Sequence, residues 1–440
     1  MNRRTKLLVA IFLAYLVAAV CTSAQEKVNR VEQEQARAIL HQVEETIEKN
    51  YFDPTFRGID LHARFREASK KLNDVPNLVA GLGVVVSAVE GLSDSHTIFV
   101  PPARNVVVDS GWQMETVGEN CIITAVEPHS DAWEKGLRPG DQVLKIQGYE
   151  PRRSTFRIID QRINQLLPLA EYRLVIASPG HASREITTKS QLVTLPQTSN
   201  YFLGGDGQHQ IRRLIEGYQL LTKPRTNEVN DKLMIWKMPR FILPKPEIDR
   251  LFGTARKHEV LILDLRDNSG GAEDALRSMI SNVFDHDITV GDMVERTGSG
   301  PLRISSRGDR AFGGKLIVLV NSASGSAAEI FARTVQLEKR GTVIGDTTEG
   351  AVRRAKIFPL TLQGATTIAY SVEVSIARLK MPDGGELEGT GVTPDVKVIP
   401  SPSDLAEGRD PVLAVAAQLA GTQLSGEQAG KLFPVVWATH

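Results

Sequence analysis

IVLVNSASGSAAEIFAR, residues Ile317 to Arg333, is the stretch from which the fold of this 440-residue chain can be built outward. Its apolar, β-branched start, Ile317–Val320, has the length of a buried strand. Five small or polar residues, Asn321–Gly325, come next, and Ala327–Leu337 then carries its apolar side chains at helical spacing. The segment therefore predicts a strand, a tight turn and a helix.

Ser326 lies where this turn enters the helix, and a serine in that position has two plausible roles. It can be an N-cap, which accepts hydrogen bonds from the first turn of the helix. It can also be a nucleophile at a sharp strand-to-helix bend, where the helix N-terminus favours developing negative charge. Taken alone, the segment favours the cap, so the rest of the chain has to decide.

The strand–loop–helix pattern occurs a second time upstream. Val260–Asp264 reads as a buried strand, Gly270 and Gly271 form a glycine turn, and a helix is expected over Ala272–Val283. Val343–Gly345 offers another buried strand. Alternating strands and helices predict an α/β layer with a partly parallel sheet, whose ligand chemistry gathers at the carboxyl ends of the strands.

The N-terminal part of the chain has a different character. Residues 28–92 show helical spacing, with helices expected over Leu61–Leu72 and Leu78–Val89. The module ends in a polar loop that contains Ser95 and His96. A lone histidine is more often structural than catalytic, but loops on a rigid scaffold commonly carry functional groups.

Composition and the first residues bound the class of protein. Lys+Arg and Asp+Glu are both 52, so no basic excess points to nucleic acid as a partner. Residues 1–24 read as a cleaved secretory signal, which predicts a periplasmic or secreted protein, with a retained membrane or lipid anchor as the alternative. Cleavage leaves Cys121, a predicted core residue, as the only cysteine, so no internal disulfide is expected.

The string AVEPHSDAWEKGLRPGDQVLKIQG, Ala125 to Gly148, resembles the PDZ domain. That resemblance implies capture of an extended peptide at a sheet edge, with its C-terminal carboxylate held by backbone N–H groups. The matching peptide-binding residues are Gly111, Trp112, Gln113 and Met114. The alternative is that Trp112 and Met114 merely fill a small core.

The order of motifs resembles the C-terminal-processing, or tail-specific, peptidase family. It comprises a helical cap, the PDZ-like segment, and then DLRDNSGG, NSASGSAAE, VIGDTTEGA and EGTGVTPDVKV. The resemblance implies a multidomain α/β protein with a signal peptide (1–24), a helical N-terminal module (25–104), a PDZ domain (105–188) and a peptidase core (189–440). The core is implied to be a crotonase-like or ClpP-like layer with a C-terminal helix. The family's nucleophile corresponds to Ser326.

The family's lysine base is missing, because Ala351 occupies its place. Arg353 and Arg354 stay protonated and cannot act as bases, and Lys356 is out of register. A second branch of the family, similar to the tricorn core protease, instead uses a Ser-His pair from the N-terminal module and a late glutamate.

The residues that match this branch are Ser95, His96 and Glu388. The resemblance therefore implies His96 as the general base, with Ser95 and Glu388 holding it. Histidine suits this role because its pKa lies near neutrality. Backbone N–H groups of Gly270 or Gly271 and of Ala327 are the expected oxyanion donors.

The sequence thus predicts an exported serine endopeptidase that acts on polypeptides. No string has metal-ligand spacing, and no cofactor is expected. Asp264, Arg266 and Asp267 are expected to form local salt bridges. A catalytically inactive peptide-binding protein of the same fold and a role for Lys356 both stay open, as do the substrate and a homo-oligomeric state.

Overall fold

The computed structural model describes residues 30–102, 106–166, 169–194, 223–364, 367–435 and 437. The predicted signal peptide, residues 1–24, lies outside them. The chain divides into two compact units, one formed by residues 1–103 with 355–376 and the other by 104–354 with 377–440. Within the described residues, no helix has the length and apolar character needed to cross a membrane.

The first unit is mainly helical. Its helices cover residues 30–50, Leu61–Lys71 and Leu78–Glu90, close to the predicted positions. Asp60 and Asn77 cap the second and third helices through their side chains. Strand β1 (Ile98–Val100) pairs antiparallel with residues 371–373 of the long strand β17 (Ile368–Lys380), so a late segment of the chain completes this unit.

The second unit contains a five-stranded antiparallel sheet at its N-terminal end. The strand order is β3-β4-β5-β6-β7, and two short helices cover Asp131–Glu134 and Phe156–Asp160. The strands are β3 (Trp112–Val117), β4 (Asn120–Val126), β5 (Gln142–Ile146), β6 (Glu171–Ala177) and β7 (Arg184–Lys189). Cys121 is fully buried in this sheet's core, as predicted. Strands β2 (Val106–Asp109) and β8 (Gln191–Thr194) form a separate pair.

The core of the second unit is a six-stranded sheet in the order β18-β15-β14-β11-β10-β9. All neighbours pair in parallel except β9 with β10, which confirms the predicted partly parallel sheet. The strands are β9 (Arg225–Asn230), β10 (Leu233–Lys237), β11 (Val260–Asp264), β14 (Lys315–Val320), β15 (Gly341–Gly345) and β18 (Val396–Lys397).

Both faces of this sheet are covered, which is why its strands read as continuous apolar runs. One face packs against the helices Lys245–Ala255, Glu273–Val283 and Ala327–Leu337. Alternate residues of the same strands pack on the other face against the C-terminal helices Pro411–Leu419 and Gly426–Gly430. The predicted strand–turn–helix units are therefore confirmed, and their carboxyl ends share one edge.

The remaining strands are β12 (Ile288–Glu295), β13 (Gly298–Ile304), β16 (Arg353–Leu362) and β17 (Ile368–Lys380). A short helix covers Pro402–Ala406. The apolar spacing predicts a helix over Ile158–Leu167, and the structure has an α-helix over Phe156–Asp160 that continues as a π-helix over Gln161–Leu166. The spacing also predicts one terminal helix over Asp410–Leu424. That boundary was wrong, because the helix ends at Leu419 and Gly421 then takes a positive φ.

Candidate active site

Ser326 has a backbone conformation that an ordinary helix cap does not have. Its φ is +52° and its ψ is −115°, whereas N-cap residues occupy the extended region. For a non-glycine residue this is a strained conformation of the kind that persists at functional sites. The Ser326 N–H is held twice, by the Ala351 carbonyl at 3.0 Å and by Glu329 Oε2 at 3.0 Å. Surrounding bonds therefore fix the half-buried serine at the bend between β14 and its helix.

Glu329 organises the loops around this serine. Its fully buried carboxyl group also accepts from Thr348 Oγ1 at 2.5 Å, Gly350 N at 2.8 Å and Ala351 N at 2.9 Å. Burial raises the pKa of Glu329 to about 7, and these hydrogen bonds act in the opposite direction. One side chain thus ties the turn that carries Ser326 to the loop that follows β15.

The glycine turn after β11 lies directly against Ser326. A Cβ on Gly270 would fall 2.6 Å from Ser326 Cβ and 2.9 Å from Ala327 N, and Gly270 has φ +91°. Glycine is required there by close approach and by conformation. The Gly270 N–H donates to Asn268 Oδ1 at 2.9 Å within the loop. That bond leaves Gly271 and Ala327 as the more suitable oxyanion donors among the three predicted.

Glu388 lies beside the same loop. Its Oε2 accepts from Val352 N at 2.8 Å, and its Oε1 is 4.0 Å from Arg353 Nε. The Glu388 side chain is 7% exposed. Ala351, which precedes Val352 in the chain, accepts a hydrogen bond from Ser326 N through its carbonyl group. Glu388 and Ser326 therefore both contact the loop that contains Ala351 and Val352. The small, buried Ala351 stands where the family resemblance would place a lysine.

Glu349 also lies beside Ser326, although no role was predicted for it from the sequence. A Cβ on Gly325, the residue before Ser326, would lie 2.5 Å from Glu349 Oε2. The Glu349 N–H donates to Ser324 O at 3.0 Å, so the backbone and the side chain of Glu349 both lie against the turn that carries Ser326. Desolvation and the charge of Glu388 raise the pKa of Glu349, while Arg157 lowers it. Its position immediately before Gly350 and Ala351 is the sequence feature that could have indicated a place in the site.

Ser95 and His96 belong to the first unit, in a well-bonded loop. Ser95 Oγ and His96 Nδ1 are 2.7 Å apart. The buried Asp94 accepts from His96 N at 3.1 Å, Thr97 Oγ1 at 3.0 Å and Tyr51 OH at 3.0 Å. The loop is therefore held by one carboxylate, and the half-buried His96 ring is held by Ser95.

A groove of about 320 Å³ runs between β3 and the helix Phe156–Asp160. Trp112, Gln113 and Met114 line it, as do Phe156 and Ile159, which the sequence analysis did not single out. Trp112 also belongs to the core, because it is 9% exposed and packs edge-on against a tyrosine ring. Gly111, at φ +69°, precedes the strand.

Ion pairs fix the loop after β11, as predicted. Arg266 lies 2.8 Å from Asp264 and 2.8 Å from Asp410, and Lys237 lies 3.0 Å from Asp267. Among the described residues, no cluster of His, Cys, Asp and Glu could hold a metal ion.

Comparison with known proteins finds similarity to peptidases. Residues 237–398 match the family model described as Peptidase family S41. That segment contains Ser326, both glycines of the DNSGG turn and Glu388.

Carboxyl-terminal-processing proteases are homologues of the chain. It is 23% identical over 376 residues to the chloroplastic carboxyl-terminal-processing peptidase 2 of Arabidopsis thaliana, covering 80% of this chain and 66% of the relative. It is 31% identical over 301 residues to the carboxy-terminal-processing protease of Bartonella bacilliformis, covering 66% of this chain and 61% of the relative. The matches thus leave about a third or more of these relatives uncovered.

Two solved structures share the fold. Mature CPAF superposes with a TM-score of 0.65 at 14% identity, covering 86% of this chain and 94% of that one. The photosystem II D1 C-terminal processing protease gives a TM-score of 0.52 at 18% identity, covering 90% and 99%. At these identities the likeness concerns the α/β multidomain fold alone.

Proposed function

We propose that this chain is an exported serine endopeptidase that cleaves polypeptides, with Ser326 as nucleophile and His96 as general base. The observation that supports it most is the backbone of Ser326, held at φ +52° and ψ −115° between a parallel strand and a helix. Strained strand-to-helix turns of this kind expose a nucleophilic serine in other hydrolases.

In the proposed reaction, His96 takes the proton of the Ser326 hydroxyl as Oγ attacks the scissile carbonyl carbon. The tetrahedral oxyanion then accepts hydrogen bonds from the N–H groups of Gly271 and Ala327, in a site where one such donor is worth about a hundredfold in rate. The protonated base next gives its proton to the leaving amine. Ser95 and Glu388 are proposed to hold and polarise the imidazole, each by a hydrogen bond.

The five-stranded sheet is proposed to be the PDZ domain, which binds the C-terminus of a peptide or protein substrate. Support comes from the groove beside β3, because such a groove accepts an extended chain alongside the strand. Trp112, Gln113 and Met114 supply its strand side, and Gly111, which precedes the strand, is proposed to bind the peptide with them.

The test is cleavage of an unstructured protein such as β-casein by wild type, Ser326→Ala and His96→Ala. The proposal predicts cleavage by wild type only, with equal thermal unfolding of all three proteins. Cleavage that survives in Ser326→Ala would reject the nucleophile. If pure wild-type protein cleaves neither casein nor peptides with apolar C-termini, but binds those peptides, the inactive peptide-binding protein is favoured instead.

A further inference from the structure

A cavity of about 320 Å³, lined by apolar side chains and by several charged and polar ones, lies at the carboxyl ends of the core strands, outside the proposed catalytic residues. Glu115 reaches it from β3, and Lys237, Asp267 and Asn321 reach it from the ends of β10, β11 and β14. The C-terminal segment, including Asp410, closes the opposite side. Cavities with convergent polar groups are common places for function.

Glu115 contacts both loops that build the candidate active site. Its carboxyl group is paired with that of Asp267, in the loop that ends at the two glycines, and Asn321 Nδ2 donates to Asp267 Oδ1 at 2.7 Å beside it. Glu115 Oε2 also lies 3.5 Å from Asn321 Nδ2, the first residue of the nucleophile turn. The next residue of β3, Thr116, accepts a hydrogen bond from Ser322 Oγ in that turn. A dipeptide of β3 therefore bridges the two loops.

Asp267 connects Glu115 to the glycine turn through a short series of hydrogen bonds. It has a φ of +64°, and its N–H donates to Asn321 Oδ1 at 3.0 Å. The following residue, Asn268, accepts from Gly270 N through its side chain and from Gly325 N through its backbone. A shift of Asp267 thus moves the loop that carries the Gly271 N–H.

Desolvation and the neighbouring charges together set the pKa of Glu115. Lys237 and Arg266 hold the pKa of Asp267 well below its usual range. Burial and the charge of Asp267 raise the pKa of Glu115 to about 8, opposed by Lys237. Glu115 therefore keeps its proton at neutral pH and donates it to the Asp267 carboxylate. The other charged groups around the cavity are already engaged in pairs of their own: Arg266 with Asp264 and Asp410, Arg153 with Asp346, and Arg409 with Asp404.

We propose that Glu115 is a positioning residue for the proposed peptidase reaction, whose carboxyl group ties β3 to Asp267 and Asn321 and so sets the glycine loop. This inference rests on the proposed function. Ionisation of Glu115 at alkaline pH replaces the hydrogen bond with repulsion between two carboxylates. The loop then shifts, and the Gly271 N–H moves away from the developing oxyanion.

The test is the rate of covalent labelling by a fluorophosphonate probe from about pH 6 to about pH 10, normalised for each protein to its own neutral value. Wild type is expected to lose about tenfold in rate per pH unit above about pH 8, the signature of one ionising group. Glu115→Gln carries an amide donor at every pH, so its rate should not fall. The matched control Glu119→Gln, at the exposed β3–β4 turn, should follow wild type.

An alkaline fall that persists unchanged in Glu115→Gln would overturn the positioning role and leave the proposed function standing. Absence of any wild-type labelling would instead reject the proposed function. In that case, infrared difference spectra decide the state of Glu115 itself. A protonated-carboxyl band at neutral pH that Glu115→Gln lacks supports the tie, and equal spectra of the two proteins overturn it.

Discussion

Gly270→Ala is the substitution that probes the contact between the glycine turn and Ser326, the proposed nucleophile. The added Cβ would lie 2.6 Å from Ser326 Cβ, 2.9 Å from Ala327 N and 2.9 Å from the Gly325 carbonyl. Overpacking of this kind costs about 1–3 kcal/mol. Holding alanine at the φ of +91° adds about 1–2 kcal/mol of left-handed strain, so we expect a loss of about 2–5 kcal/mol in the free energy of unfolding.

Part of that strain can relax only if the nucleophile turn moves, since the close atoms belong to it. A displacement of about 1 Å at a reacting group costs about a hundredfold in rate. Fluorophosphonate labelling and urea unfolding measure the two effects. The control is Gly313→Ala, which has no heavy atom within 4 Å of the new Cβ and should change stability by less than about 0.5 kcal/mol. Wild-type labelling and stability in Gly270→Ala would refute the contact and the role assigned to this turn.

Glu329→Gln should lower the free energy of unfolding by about 2–4 kcal/mol, because an amide cannot accept all four hydrogen bonds and leaves two donors unpaired; unchanged urea unfolding would contradict this. The native pKa of Glu329, about 7, exceeds the unfolded value of 4.5, so the contribution of Glu329 to stability should fall as pH rises from 4.5 to 7. This pH dependence should be absent from Glu329→Gln, and urea unfolding at several pH values measures it. Cys121 is buried with its pKa raised to about 12, so a thiol reagent should react only on unfolding, and rapid native reaction would disprove its burial. Arg266→Met should lower the free energy of unfolding by about 3–5 kcal/mol, because Asp264 and Asp410 lose their shared partner. The control is Arg250→Met, which removes an exposed ion pair, and a smaller loss in Arg266→Met than in this control would contradict the prediction.

Much of the core could be predicted because burial on both sheet faces leaves a direct trace in the sequence. Val260–Leu263 and Ile317–Val320 are uninterrupted apolar runs, and the helix Ala327–Leu337 begins and ends where spacing predicted. The end of the last long helix was missed because apolar spacing continues past Leu419, while the backbone turns at Gly421.

The site was less predictable because its geometry depends on partners distant in sequence. No local pattern reveals the strain at Ser326, which the Ala351 carbonyl and Glu329 impose together. Glu329 looked like part of a motif, yet its role comes from donors about twenty residues away. Likewise, the role proposed for Glu115 could not be predicted, because it depends on the contact of β3 with Asp267, a residue distant in sequence.

The central claim is that Ser326 is an activated nucleophile, and mass spectrometry of the fluorophosphonate-treated protein tests it most directly. The account predicts one adduct, located on the peptide that contains Ser326, absent from Ser326→Ala and strongly reduced in His96→Ala. An adduct on another serine, or equal labelling of the folded Ser326→Ala protein, would contradict it.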